Sequence, residues 1–220
     1  MASAVAQLFS KTDRDRIRSA VAEAEAKTSG EIVPYVVEQC DVYEFAEWRG
    51  GALAGTLTAT TFAALHEMTT LWLPLNFAGL ILVTIVAFVA GMLLVRFIPP
   101  LKRLLAGARE MEHRVSQRAA EAFVAEEVFT TRDRTGILLF ISLLEHRVLV
   151  VGDAGINAKV VQQDWDEVVA TIVAGIKAGT PADGIVEAIG ICGNLLQRQG
   201  VRRRADDTDE LSDSLRMSDR

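Results

Sequence analysis

The chain of 220 residues has few of the residues that mark secreted or metal-binding proteins. Its two cysteines, Cys40 and Cys192, lie in no CxxC pair and at no metal-ligand spacing from a histidine. Two isolated thiols indicate reduced cysteines in a reducing compartment. Met1–Ser10 has no basic segment followed by an apolar run, so no signal peptide is predicted.

Familiar catalytic motifs are missing as well. The HEMTT segment that begins at His66 lacks the second histidine of a zinc-binding HExxH motif, and the sequence has no GxSxG, Walker or GxGxxG motif. Hydrolysis needs a nucleophile or an activated water and a stabilised transition state. No residue is nominated as a nucleophile, so the sequence favours a protein that is not an enzyme.

A surplus of positive charge is absent too. The chain has 23 lysines and arginines against 29 aspartates and glutamates, which gives a net charge of −6. Proteins that bind nucleic acids neutralise phosphates with a surplus of basic residues. Nucleic acid is therefore excluded as the main partner.

Apolar residues, which make up 50% of the chain, are concentrated in residues 50–98. Two stretches, 51–73 and 77–98, each approach the roughly 20 residues needed to cross a bilayer. The second has no charge from Ala78 to Val95, whereas the first contains His66 and Glu67 and is expected to end near Leu65. The sequence predicts a two-helix transmembrane hairpin over residues 50–98.

Small residues recur at four-residue spacing in both stretches, as Gly51 with Gly55 and Ala87 with Gly91. Such a pattern lets two helices approach closely in lipid. An alanine- and glycine-rich composition without that role explains the pattern equally well.

Lysine and arginine predict the orientation. The loop of residues 66–76 has none, whereas Arg49 precedes the first stretch and Arg96, Lys102 and Arg103 end or follow the second. Cytoplasmic loops carry the excess of basic residues. We expect two spans in the inner (cytoplasmic) membrane, with both termini in the cytoplasm. The expected partners are the lipid bilayer and other membrane proteins.

The remaining segments predict an α/β fold. Periodicity and turn residues predict a first helix that begins at Thr12 and is closed by Gly30, followed by a strand over residues 31–38. A long helix over residues 101–127, strands over residues 137–143 and 147–151, and two helices before Gly200 complete the prediction. Pro34 favours an edge strand or a bulge for the first strand. We expect a three-layer α/β/α sandwich with a small mixed sheet, from residues 1–39 and 100–200. Residues 201–220 are charged and expected to be disordered.

Several segments, in order, resemble the TPM domain family, often labelled TPM phosphatase: TSGEIVPYVVE, DRTGILLFISLLEHRVLVVGDAGI and DGIVEAIGICGNLL. The resemblance covers roughly residues 12–39 and 118–200. It implies an α/β/α sandwich, and it associates the chain with phosphatase activity and divalent-cation binding. A hairpin inserted after the first strand departs from the family, whose members are often tethered by a terminal helix.

The predicted topology places three acids at one edge of the sheet. Glu31 begins the first strand, Asp133 precedes the second and Asp153 ends the third, with Asp164 nearby. Asp133, Asp153 and Asp164 match acidic positions of the TPM family. Several carboxylates suit Ca²⁺ or Mg²⁺. The alternative is that these are ordinary turn and helix-capping residues. Arg134 is a candidate phosphate contact, or one member of a surface ion pair.

Two functions follow as hypotheses. In the first, the chain is a membrane-anchored TPM-like domain that faces the cytoplasm and serves as an interaction, assembly or quality-control module, with a divalent cation as an optional ligand. In the second, it is a metal-assisted phosphatase at the membrane surface.

Overall fold

The computed structural model describes residues 4–68, 77–201, 203 and 210–219. The chain divides into two compact units, residues 1–40 with 113–220 and residues 41–112. The first is an α/β unit, and the second contains the apolar helices. The sequence prediction placed the return to the α/β domain earlier, at residue 100.

The α/β unit is built on a four-stranded mixed sheet, with strands in the order β3-β2-β1-β4. The strands are β1 (Glu31–Val37), β2 (Gly136–Ser142), β3 (Arg147–Gly152) and β4 (Arg216–Ser218). β1 is parallel to β2 and β4, and β2 is antiparallel to β3. The small mixed sheet and the α/β class are as the sequence predicts.

Helices cover both faces of this sheet. One face packs against α2 (Lys11–Glu25), α8 (Gln162–Lys177) and α9 (Pro181–Arg198) through a core that includes Ile17, Ile172 and Ile189. The other face packs against α6 (Ala108–Ala125) through Val115, Ala119 and Ala122. Every residue of β1 and β2 is buried, as expected of strands covered on both sides. Two short helices, α1 (Ala4–Leu8) and α7 (Ala154–Asn157), complete this unit.

The fourth strand corrects the expectation of a disordered tail over residues 201–220. β4 pairs with the end of β1, from Tyr35 with Arg216 to Val37 with Ser218, and Leu215 is buried. The backbone N–H and C=O groups of β1 on this side pair with the C-terminal segment. That pairing orders the segment although it has few apolar residues. Residues 202, 204–209 and 220, which the same expectation covered, lie outside the described part of the chain.

Pro34 lies in a strand with neighbours on both sides, not at a free edge as predicted. The backbone N–H of Glu31 donates to Thr135 on the β2 side, whereas that of Glu38 donates to Ser218 on the β4 side. Strand residues alternate, so the N–H that proline lacks belongs on the β4 side. The pairing with β4 begins only at Tyr35, and Pro34 therefore removes no paired hydrogen bond.

The second unit contains α3 (Glu44–Met68), α4 (Phe77–Phe97) and α5 (Pro99–Ala106). The sequence predicted one long helix over residues 101–127. The structure breaks it at Gly107, whose φ of 84° lies in the left-handed region that only glycine adopts without strain. α5 and α6 are therefore separate helices.

Of the described helices, α4 alone is long and apolar enough to cross a membrane, and only 11% of its most apolar 18-residue stretch is buried. α3 is long enough but carries several glycines and threonines and the charged Glu44, Glu47 and Arg49. Length and composition therefore support α4 as one of the two predicted spans, and α3 as a second span stays a prediction. The preference of tryptophan for the membrane interface also predicts Trp72 at the headgroup level, and this residue lies outside the described part of the chain.

Candidate functional site

The register of the sheet brings the start of β1, the start of β2 and the end of β3 to one edge. Glu31 pairs with Gly136, the first residue of β2, and Gly152 pairs with Ile137. The N–H of Asp153 donates to the carbonyl of Gly136 over 2.9 Å. Glu31, Arg134 and Asp153 consequently lie at the same end of the strands. We call these three residues, with Asp133, the acidic edge.

Asp153 is bound by Arg134 through two hydrogen bonds. The Arg134 Nε and Nη2 atoms lie 2.5 and 2.9 Å from the two carboxylate oxygens of Asp153. Asp153 is 5% exposed, and its carboxylate also accepts from the N–H of Ala154 at 2.7 Å, where it caps α7. Two parallel bonds from a guanidinium are among the strongest ion pairs in proteins. Arg134 therefore neutralises Asp153, which is 19 residues away in sequence.

This ion pair shifts the ionisation of both groups. Hydrogen bonding to Arg134 holds the pKa of Asp153 below its ordinary value, against the opposing effect of burial. The same hydrogen bond raises the pKa of Arg134. The backbone of Arg134 has a φ of 56°, which is uncommon outside glycine, and its carbonyl accepts from the N–H of Gly155 at 2.9 Å. The turn before β2 is thus joined to α7 by this backbone hydrogen bond as well as by the ion pair.

Glu31 binds the C-terminal segment. Its carboxylate is buried and accepts from the N–H groups of Glu210 and Leu211, each over 3.3 Å. These bonds lie a few residues before β4. Sequence reasoning missed this partner because the segment was expected to be disordered.

The other two predicted acids have separate surroundings. Asp164 is half-buried in the first turn of α8, and its carboxylate accepts from the N–H of Val161 at 3.1 Å. That contact is the helix-capping alternative considered for it. Asp133 is exposed in the turn before β2. Within the described residues, no group of three or more histidine, cysteine, aspartate or glutamate side chains is arranged to hold a metal ion.

A second polar cluster, which the sequence did not suggest, lies at the opposite edge of the sheet. The Glu145 carboxylate accepts a close hydrogen bond from the Ser142 hydroxyl and another, of 2.8 Å, from the N–H of Cys40. The Cys40 thiol donates to the Ser142 oxygen at 3.5 Å. Ser142 and Glu145 are 2% and 4% exposed. Burial keeps this hydroxyl from a substrate, so the cluster ties the end of β1 to the β2–β3 turn.

In the second unit, α3 and α4 pack antiparallel at very short range. A Cβ atom added to Gly91 would lie 2.6 Å from the carbonyl oxygen of Gly50 and 2.7 Å from the Cβ of Ala54. Further along, Gly51 faces Phe88 and Met92, and Gly55 faces Phe88 and Thr84. The small-residue pattern thus has the packing role that was one of its two interpretations, although the contacts of Gly91 are with Gly50 and Ala54.

Outside this seam, the two helices expose large apolar side chains. Leu57 is 68% exposed on α3, and Phe77 and Leu82 are 80% and 62% exposed on α4. Exposed apolar patches of this extent on a protein mark an interface with a membrane or with another protein.

Charged residues of α3 and α5 form an ion pair and hydrogen bonds at the end where α3 begins and α4 ends. The buried Lys102 Nζ lies 3.2 Å from the carboxylate of Glu47, and it also donates to the carbonyl of Val42 at 3.1 Å. Arg49 donates to the carbonyl of Leu105 at 2.7 Å. These contacts fasten α5 to the base of α3.

Comparison with known proteins gives a fold but no family. No protein-family model and no curated protein matches the chain. The fold is similar to the NMR structure of BA42 protein from the psychrophilic bacterium Bizionia argentinensis sp. nov., at a TM-score of 0.57 and 18% sequence identity. The match covers 95% of this chain and 94% of the BA42 chain. At this identity the likeness concerns the fold alone.

Proposed function

We propose that this protein is a TPM-like domain held at the cytoplasmic face of a bacterial inner membrane, where it acts as an interaction or assembly module. α4 crosses the bilayer, and α3 lies beside it as a second span. The observation that carries the proposal is the exposure of apolar side chains along α4. Only 11% of its most apolar 18-residue stretch is buried. In water that surface is unfavourable, whereas in lipid it costs nothing.

The distribution of charge supports the orientation. Basic residues lie near one end of the α3–α4 pair, namely Arg49, Arg96, Lys102 and Arg103. Residues 66–76, which link the two helices in the sequence, contain no lysine or arginine. By the positive-inside rule, the basic end faces the cytoplasm. Residues 1–40 and 113–220, which form the α/β unit, flank the two proposed spans on their basic side in sequence, so the proposed topology makes this unit cytoplasmic.

The acidic edge favours an interaction module over a catalyst. Asp153 is neutralised by Arg134, Glu31 is occupied by backbone N–H groups of the tail, and Asp164 caps α8. Carboxylates in these roles are already satisfied without a cation.

Cysteine labelling tests the membrane topology. In a background with Cys40→Ser and Cys192→Ala, we expect an impermeant maleimide to label Asn76→Cys in intact spheroplasts. The exposed Lys159→Cys should be labelled only after lysis. Equal labelling of both positions before lysis, or recovery of the protein in the soluble fraction, would contradict the proposal.

Purification tests the interaction role. The full chain, tagged and extracted in several mild detergents, should recover the same membrane protein each time, whereas an unrelated two-span protein with the same tag should not. Failure to recover any partner across the detergents would count against the module.

The alternative is a metal-assisted phosphatase, favoured by the presence of Glu31, Asp133 and Asp153 along one edge. It requires phosphate release that depends on Ca²⁺ or Mg²⁺ and that Asp153→Asn abolishes. Unchanged release in that variant would eliminate the site, and no release from the wild type would eliminate the activity.

A further inference from the structure

A cavity of about 640 Å³ lies in the α/β unit beside the turn that joins β2 to β3, far along the sheet from the acidic edge. Leu143 of the turn, Val148 of β3, and Val173 and Ile176 of α8 form much of its wall. Leu8 of α1 contributes as well. Small-molecule sites commonly enclose about 300–1,000 Å³ and are mostly apolar, so both the size and the lining suit a ligand.

The apolar wall belongs to the main core but is incompletely covered. Leu143, Val148 and Ile176 pack against the buried core of the unit while remaining half-exposed. Leu8 is 45% exposed. An apolar ligand that covered these side chains would gain about 25 cal/mol for each Å² of apolar surface removed from water.

The charged residues of the cavity are all basic. Arg147 and Lys177 line it with His146, and no described aspartate or glutamate does. Arg147 and Lys177 are exposed and, within the described residues, form no ion pair and no side-chain hydrogen bond. Such a cluster stands out in a chain whose net charge is −6. It attracts anions where most of the protein repels them.

Lys177 has a second explanation, because it lies in the last turn of α8, where a cation stabilises the helix dipole. Arg147 has no such role, since it begins the edge strand β3. Its position beside Val148 places a guanidinium next to the apolar wall, and guanidinium groups bind carboxylates and phosphates in bidentate fashion.

We propose that this cavity binds a single alkyl chain that ends in an anionic group. The chain contacts Leu143, Val148, Val173 and Ile176, and the carboxylate or phosphate contacts Arg147 and Lys177. A free fatty acid and a single-chain phospholipid share this chemistry. The proposal does not depend on the membrane topology or on the interaction role proposed above.

The test uses the full chain in nanodiscs of phosphatidylcholine with isotope-labelled isoleucine, leucine and valine methyl groups. Titration with decanoate should shift the methyl signals of Val148, Val173 and Ile176 in a saturable way. Butyrate, which has the anion without the chain, should leave them unchanged. A single-chain phosphatidate added to the nanodisc distinguishes the two sources: stronger binding than decanoate assigns the site to membrane lipid, and weaker binding assigns it to a free acid.

Variants test the two halves of the site. Arg147→Gln with Lys177→Gln should weaken decanoate binding at least tenfold while changing decanol binding less than twofold, and Lys159→Gln, at an exposed lysine outside the cavity, should change neither. Val173→Trp should weaken both, because the larger ring occupies part of the space that the alkyl chain would take. Absence of saturable shifts, or decanoate affinity unchanged in the double variant, would overturn the proposal.

Discussion

The close contact between α3 and α4 makes a quantitative prediction about two glycines. Gly91 and Gly55 both lie within helices, so replacing either with alanine removes the same conformational freedom from the unfolded chain. That effect alone stabilises a helix by roughly 0.5–1 kcal/mol. The two substitutions should nevertheless act in opposite directions, because their surroundings differ.

At Gly91 the added Cβ meets the carbonyl oxygen of Gly50 at 2.6 Å and the Cβ of Ala54 at 2.7 Å. Backbone and Cβ atoms cannot rotate away, so the helices must separate, and overpacking of this kind costs about 1–3 kcal/mol. At Gly55 the Cβ meets only side-chain atoms of Phe88 and Thr84, at 3.6–3.7 Å, which is ordinary contact. We therefore expect Gly91→Ala to destabilise the helix pair by about 0.5–2 kcal/mol and Gly55→Ala to stabilise it by up to about 1 kcal/mol.

Reversible unfolding of the full chain by SDS, in mild mixed micelles, measures both values. Energy transfer between dyes on α3 and α4 reports separation of the helices, and Gly55→Ala is the matched control. If Gly91→Ala were as stable as Gly55→Ala, the contact of Gly50 with Gly91 would not hold the pair together, and the arrangement of α3 and α4 would be wrong.

Four further predictions concern buried charges and thiols. Glu31→Ala should release the C-terminal segment, accelerate amide hydrogen exchange at residues 210 and 211, and cost about 1–2 kcal/mol, because two N–H groups lose a charged acceptor. Since the pKa of Asp153 is lowered by folding, its contribution to stability should be complete above a pH of about 4 and lost as pH falls through the folded pKa. Unfolding measured between about pH 2 and 6 should accordingly depend less on pH in Asp153→Asn than in the wild type. Lys102→Met should destabilise the second unit by up to about 3 kcal/mol, because the buried Glu47 keeps only its longer ion pair, of 3.8 Å, with the exposed Arg96, and adding Glu47→Leu should recover most of that loss in thermal unfolding. Burial raises the pKa of Cys192 to about 12, so its labelling by maleimide at neutral pH should require unfolding and should follow the global unfolding rate.

Local sequence signals account well for β1, β2 and β3. Each is a run of β-branched and aliphatic residues bounded by turn residues, and the side chains of β1 and β2 are buried as such runs require. β4 has no such signal: the three residues Arg216–Ser218 form a strand only because β1 offers an edge far away in sequence. A short polar strand of this kind depends on tertiary pairing, which periodicity does not encode.

The acidic edge was predictable as a place but not as a set of contacts. Parallel pairing of β1 with β2, and a short turn to β3, are enough to bring Glu31 and Asp153 to the same edge of the sheet. The partner of each carboxylate depends on details that spacing does not carry. Arg134 binds Asp153, which lies 19 residues away in sequence, and Glu31 meets a segment that was expected to be disordered.

These contacts also bear on the choice between the two proposed functions. A cation at the acidic edge would have to replace two hydrogen bonds from Arg134 to Asp153, or two N–H groups that Glu31 already holds. Removing one partner from a buried hydrogen-bonded charge leaves the other unsatisfied, so metal binding there carries the cost of displacing Arg134 or the tail. A metal-assisted phosphatase would need that rearrangement before it could bind its cation and react. An interaction module needs no such rearrangement, because the carboxylates of the acidic edge and the C-terminal segment already form the contacts seen in the structure.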